Sequence, residues 1–276
     1  DPLTHVRVNM EGTFVATALI SLPSKAPFDL YHRDAQRRGM QLYVRRVFIM
    51  DDCCDLLPDY LRFVKGVIDA EDLTLNVSRE TLQHNRQIRA IRKFIVKRVL
   101  NTLKSLKSDD PEKYRTFFQE FGPVIKEGLL QVGEDHAPIQ ELLLFPSTHD
   151  RNTPTSLADY VSRMKEGQEH IYFLAGPSLE AVENSPHLEM FRKKGYEVLF
   201  CTDRVDEVWL QQPSEFQEKK FQSVGKGEVS LGDEDDKKKE EEAQDDNIDL
   251  VRRSVGLHVA SAVLEKLRSI LHTEHV

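Results

Sequence analysis

The residues best suited to chemistry lie in one short stretch, Leu75-Asn76-Val77-Ser78-Arg79-Glu80-Thr81-Leu82-Gln83. Ser78 is placed to cap a helix, since its hydroxyl can accept from a backbone N–H two or three residues further on. Arg79 and Gln83 are four apart and project from one face of that helix start. A guanidinium and an amide beside the unpaired N–H groups of a helix N-terminus form a donor cluster suited to an anion such as phosphate. The same guanidinium can instead pair with Glu80 or Asp72, and spacing leaves both readings open.

Little else competes. The sequence holds no GxSxG, no GxxxxGK(S/T) and no GxGxxG, and Gly225-Lys226-Gly227 reads as a turn. Ten histidines are scattered, and His272 and His275 lack acidic or cysteine companions at ligand spacing, so no metal site is expected. Cys53, Cys54 and Cys201 form no CxxC pair, and adjacent cysteines bridge only with strain, which points to buried or loop thiols in a reduced compartment. Asp51-Asp52 reads as helix N-terminal charge in preference to an acid/base pair. No secretory signal is visible, and no apolar run is long enough for a transmembrane helix, so a cytoplasmic location is expected.

The elements that must position the cluster follow from periodicity. With 39% hydrophobic and 30% charged residues, the 276-residue chain can bury a core. Its net charge of −8 is unevenly spread: residues 233–246 hold nine acids and three lysines, −6 in total, and read as a disordered linker. Residues 13–20 and 42–49 are β-branched and aromatic runs that predict two strands, separated by Pro23, Pro27 and a basic loop at 33–39. Residues 56–67 predict a short helix and a turn toward Leu73. Residues 81–106 carry the longest helical pattern, with Ile88, Ile91, Ile95, Val99, Leu103 and Leu106 as the apolar stripe. Helices are expected at 111–121 and 137–145, and Ser156 opens another with Asp159 as its capping partner. Strand 170–175, helices 178–185 and 187–194 and strand 197–201 make a βαβ-like unit, hence a parallel pair. A weak strand at 221–229 and an amphipathic helix at 248–271 close a mixed α/β (α+β) chain.

Several segments, in order, resemble one family. Asp1-Pro2-Leu3-Thr4, Ala26-Pro27-Phe28-Asp29-Leu30, residues 42–52, Phe63-Val64-Lys65-Gly66-Val67-Ile68-Asp69 and residues 75–83 are similar to the middle segment of the heat-shock protein 90 chaperones. Ser147-Thr148, residues 159–164, Ile171-Tyr172, Ser185-Pro186, Glu197-Val198-Leu199 and Asp206-Glu207 extend the resemblance to about residue 230. Residues 160–168 resemble the bacterial HtpG branch best. In that family the Asn-x-Ser-Arg-Glu-x-Leu-Gln segment is a catalytic loop. The resemblance implies that Arg79 reaches the γ-phosphate of ATP, with Mg2+, held by a separate N-terminal domain. Gln83 would support it, and Asn76 would shape the loop. It also implies that Phe48 packs at an interdomain contact. Thr74 stands where relatives usually carry proline.

The organisation so implied is part of a ribosomal-protein-S5-domain-2-like αβ layer over 1–108, a helical connector over 109–146 and a smaller αβα unit over 147–230. The acidic linker over 231–247 and one helix over 248–276 follow. The family's ATP pocket lies upstream of Asp1, so this chain alone is expected neither to bind nor to hydrolyse ATP. Unfolded or partly folded client proteins and the N-terminal ATPase domain are the implied partners, with Phe28 and Leu30 as candidate client contacts; the family forms a homodimer, for which this chain offers only the single C-terminal helix. Two other readings compete. Arg86, Arg89, Arg92, Lys93, Lys97, Arg98, Lys104 and Lys107, with no acid between His84 and Ser108, could serve a nucleic acid. Only Phe94 is interleaved, so a solvated face partly balanced by Glu112, Glu120 and their neighbours is favoured. Residues 248–271 could instead self-associate in a non-catalytic interaction fragment.

Overall fold

The computed structural model describes residues 2–11, 15–28, 30–31, 39–51, 53–71, 73, 86–131, 133 and 135–225, with the Cys54 side chain excepted. The acidic run and the expected C-terminal helix lie outside these residues. Asp1–Gly225 forms one compact mixed α/β unit.

Its larger sheet has five strands in the order β1 (Pro2–Met10), β2 (Ala16–Pro23), β5 (Lys65–Ala70), β3 (Met40–Val44) and β4 (Val47–Met50). All neighbours are antiparallel except β3 and β5. Period-2 alternation decides which face is buried: Val6, Val8 and Met10 of β1 and Ala18, Ile20 and Leu22 of β2 point inward, while Arg7, Asn9, Thr17 and Leu19 face out. Gly66 of β5 sits where an added Cβ would lie 2.3 Å from the Leu19 carbonyl oxygen, so the close approach of β2 and β5 excludes any side chain.

On the inner face lies α1 (Arg86–Asp109), which buries Ile88, Ile91, Ile95, Val99 and Leu103 as its stripe requires. Next comes α2 (Pro111–Lys126), whose Asp110 cap accepts from the Lys113 N–H and whose Pro111 occupies the first turn. Its rings Tyr114, Phe117, Phe118 and Phe121 bury against one another and against Phe63. Then α3 (His136–Leu142) leads into a two-stranded ladder of β6 (Leu144–Phe145) with β7 (Thr155–Ser156).

A four-stranded sheet completes the unit: β10 (Glu215–Phe216), β11 (Lys219–Ser223), β8 (His170–Ala175) and β9 (Leu199–Cys201). Strands β8 and β9 are parallel, as the βαβ reading requires. Ser156 caps α4 (Leu157–Ser162) by accepting from the Asp159 N–H, and Ser178 caps α5 (Leu179–Glu183) through Ala181. Gly195, at φ +69°, ends α6 (Leu188–Lys194), and α7 (Arg204–Trp209) follows β9.

The structure departs from the sequence expectations at several places, among them β1, which is not among the expected strands, and residues 144–145, a strand and not the end of the helix expected over 137–145. Residues 42–49 are a hairpin, not one strand: Arg45 and Arg46 turn with φ 50° and 64° between β3 and β4. Both angles suit the tight hairpin turn that matches strand twist, and tertiary contacts stabilise them in the absence of glycine. Residues 56–67 are not helical beyond two single 3-10 turns, Cys54–Leu56 and Asp59–Leu61, and residues 65–70 enter the central strand. Helix α2 runs through Pro123 to Lys126 instead of stopping at Phe121, because Val124 and Ile125 are fully buried. The last strand is at Lys219–Ser223, not 221–229.

Candidate functional site

Asn76, Arg79 and Gln83, with Thr74 and Asp72, lie outside the described residues, as does Asp52. What is described is the frame from which that segment departs and to which it returns. Strand β5 is the middle strand of its sheet, Leu73 beyond it is buried, and the chain re-enters at Arg86 of α1. The β3–β4 turn is fastened to this strand end. Arg45 Nε donates to the Glu71 carbonyl at 3.0 Å, and the Arg46 N–H donates to Asp69 Oδ1 at 3.0 Å. Phe48 stands on β4, 52% exposed, with its ring edge-on to Tyr43 at 5.6 Å between centroids. Asp51 is exposed and accepts from Gln41 Nε2 at 2.7 Å.

Phe28 and Leu30 part company. Phe28 is 94% exposed, whereas Leu30, expected beside it as a contact residue, is 7% exposed and belongs to the core. The turn that separates them is closed by the Leu30 N–H donating to the Pro27 carbonyl at 3.0 Å. The Ala26 N–H donates to Glu120 Oε2 at 3.0 Å, and the Tyr31 hydroxyl donates to the Glu120 carbonyl at 3.0 Å. Burying a leucine contributes about 1.5–3 kcal/mol, so Leu30 holds the turn down and leaves Phe28 to present outward.

The end of α2 carries a charge cluster that no spacing in the sequence signals. Lys126, 3% exposed, donates to Asp203 Oδ2 and Asp206 Oδ2, each at 2.8 Å, with its ammonium 4.4 Å from the Phe145 ring centroid. Burial works against this ammonium, but the carboxylates of Asp206 and Asp203 outweigh it and push its pKa up. Trp209 Nε1 donates to the second oxygen of Asp206 at 2.9 Å. The neighbouring Glu127 receives both outer nitrogens of Arg62, at 2.6 and 2.8 Å, and this pairing raises the Arg62 pKa. A sequence signal existed only for Asp206-Glu207, through the family resemblance.

The basic helix is balanced differently from expectation. Glu112 pairs with Arg115 on its own helix and Glu120 serves the Phe28 turn. It is Glu141 of α3 that pairs with Lys104. Lys107 donates to the Glu141 carbonyl at 2.6 Å, and burial depresses its pKa to about 8. Arg86, Arg89, Lys93, Lys97 and Arg98 are exposed along the outer face, with Phe94 among them. Cys53 and Cys201 are buried and in no disulfide, and burial pushes the Cys201 thiol well up. Among the described residues no group of His, Cys, Asp and Glu could hold a metal ion, and no helix is long and apolar enough to cross a membrane.

Such an arrangement defines a mixed α/β scaffold whose middle strand and long helix flank the segment that carries the candidate chemistry. The comparisons with known proteins agree with one another about its kind. The family model described as "Hsp90 protein" matches residues 1–267, which extends beyond residue 230, where the recognisable motifs end. The chaperone protein HtpG of Rhodococcus jostii is 55% identical over 237 residues, 86% of this chain and 37% of that protein. That of Salinispora tropica is 55% identical over 235 residues, 85% of this chain and 37% of that protein. The solved middle domain of a Plasmodium falciparum heat shock protein superposes with a TM-score of 0.72 at 30% identity, covering 82% of this chain and 89% of that one. The chain belongs to the Hsp90 family. It spans 37% of the length of the HtpG relatives named here.

Proposed function

We propose that this chain is the middle segment of an ATP-dependent chaperone that works in the cytoplasm. Arg79 supplies a positive charge to the γ-phosphate of ATP, with Mg2+, bound by a separate N-terminal domain. Gln83 supports that arginine, and Asn76 shapes the loop. Phe48, exposed on β4, meets the neighbouring domain, and Phe28 contacts unfolded or partly folded clients. One observation carries the reading: the 55% identity to HtpG chaperones over 86% of the chain, in a family match that includes residues 75–83. Two features of the molecule support it. The segment bearing Arg79 leaves the middle strand of a sheet and returns into a 24-residue helix, a stiff base for a side chain that must meet a phosphate. Phe28 has the highest exposure among the large apolar side chains described, on a turn held at both ends.

The test is Arg79→Ala in a full-length HtpG whose middle segment is replaced by this one. A preorganised donor at a developing phosphate charge is worth about 10²–10³-fold in rate, so hydrolysis falls by that factor while nucleotide affinity stays nearly constant. Equal loss of rate and affinity would make Arg79 a structural residue and remove it from this role.

A further inference from the structure

Arg62 lies outside every motif discussed above, yet its guanidinium is the most fully engaged described on this face of the molecule. Nε donates to the Leu30 carbonyl at 2.9 Å and Nη1 to the Asp59 carbonyl at 2.9 Å. Nη1 and Nη2 also grip the two oxygens of Glu127, at 2.6 and 2.8 Å. A planar fork that serves a carboxylate with two nitrogens has a fixed orientation, so its third nitrogen is aimed as well. Here it is aimed at the backbone of the turn that carries Phe28.

Glu127 is itself immobilised. It follows Lys126 directly, and Lys126 is buried between Asp203 and Asp206 at the start of α7. The two adjacent side chains thus serve different partners from one helix end. One fastens α7, and the other fastens Arg62. Glu120, seven residues earlier on α2, receives the Ala26 N–H and, through its carbonyl, the Tyr31 hydroxyl. The charges of Asp203, Glu120 and Glu127 together help to push the Tyr31 pKa up, behind burial as the main cause, which places the turn beside all three.

We infer that Arg62, oriented by Glu127, is the positioning residue of the Phe28 turn and sets how this ring meets an extended apolar segment of an unfolded protein. The inference rests on the proposal that Phe28 contacts clients. Arg62→Lys keeps the charge beside Glu127, but a single ammonium cannot hold a carboxylate at two points and the Leu30 carbonyl together. Glu127→Gln keeps the shape and removes the charge that orients the fork.

The experiment uses the 276-residue chain and two readouts. Hydrogen exchange of the backbone amides at 26 and 28–31 follows the turn, including the Leu30 N–H. Fluorescence anisotropy follows binding of fluorescein-labelled reduced, carboxymethylated α-lactalbumin. In Arg62→Lys and Glu127→Gln the turn amides exchange about tenfold faster, as the loss of a charge-assisted hydrogen bond requires, while those of α1 and β8 are unchanged. Arg62→Lys weakens probe binding as Phe28→Ala does, and the double variant binds no more weakly than Phe28→Ala alone. Unchanged exchange at 26–31, acceleration spread over the whole chain, or additive losses in the double variant would overturn the inference. Probe binding unaffected by Phe28→Ala would instead reject the client role of Phe28, with hydrogen exchange still deciding whether Arg62 sets the turn.

Discussion

Lys126→Met isolates the buried cluster at the end of α2. The substitution keeps most of the aliphatic volume and removes the ammonium that serves two carboxylates at 2.8 Å. The two acids then differ in what they can do. Asp203 has a side chain 34% exposed and can turn to water, whereas Asp206 is at 0% and cannot. Removing one member of a buried ion pair costs about 3–5 kcal/mol, because the other charge is left uncompensated. For a unit of about this size each kcal/mol shifts Tm by about 2–4 °C, so the variant should melt about 6–20 °C lower at pH 7. Trp209 is the only tryptophan and donates to Asp206, so its emission during urea or thermal unfolding reads this locus directly.

The pH dependence carries the sharper test. Burial already raises the Asp206 carboxyl, and without Lys126 only the hydrogen bond from Trp209 opposes that rise, while Asp203 adds to it. A carboxyl whose folded pKa lies above its unfolded value stabilises the fold at low pH and loses that contribution as pH climbs through the folded value. The deficit of Lys126→Met should therefore be widest near pH 7–8 and narrow toward pH 5. Lys126→Met/Asp206→Leu removes the stranded charge too, leaving only the Trp209 Nε1–H without its acceptor, and should recover to within about 1–3 kcal/mol of the parent. A single variant within about 1 kcal/mol of the parent at pH 7, or a deficit that widens on acidification, would refute the reasoning.

Tyr160→Phe should destabilise the chain by about 1–3 kcal/mol in urea unfolding, because the Tyr172 N–H and Gln168 Nε2, each at 2.9 Å, lose their buried acceptor and the Glu197 carbonyl loses a donor; a change below about 0.5 kcal/mol would mean that water replaces the hydroxyl. Lys107, depressed to about 8 by burial, is less protonated when folded than when unfolded between that pH and its ordinary value, so stability relative to Lys107→Met should rise from pH 8 to 10. Parallel profiles for the two proteins would show that the ammonium is solvated.

How much of this was legible in the sequence depended on the range of the forces involved. Strand β8 and helices α1, α5 and α6 follow from apolar spacing and local caps, and the parallel pairing of β8 with β9 follows from the connection between them. The β3–β4 hairpin did not, because Arg45-Arg46 carries no turn signature and takes positive φ only where Glu71 and Asp69 hold it. The Gln217-Glu218 turn between β10 and β11 has the same geometry, with φ 49° and 64°, and likewise carries no glycine or asparagine to signal it. Strand β5 was hidden by Gly66, which weakens the strand pattern although the close β2 contact demands it. The candidate Arg79 cluster was readable as local spacing. Arg62 with Glu127 and Lys126 with Asp203 and Asp206 were not, since 65 to 80 residues separate the partners.

The β3–β4 turn links two parts of the proposed mechanism. A non-glycine residue in the left-handed region costs about 1–2 kcal/mol, and Arg45 and Arg46 both adopt it. Such a turn persists only where its surroundings over-determine it. Here they do so from one side: both fastening bonds end on residues 69 and 71, at the exit of β5. Phe48, two residues beyond the turn and paired with Tyr43 of β3, is thus tied through that turn to the strand end that precedes the segment containing Arg79. In the proposed mechanism the contact at Phe48 and the segment that bears Arg79 therefore share a base at Asp69 and Glu71, reached from Phe48 through Arg45 and Arg46.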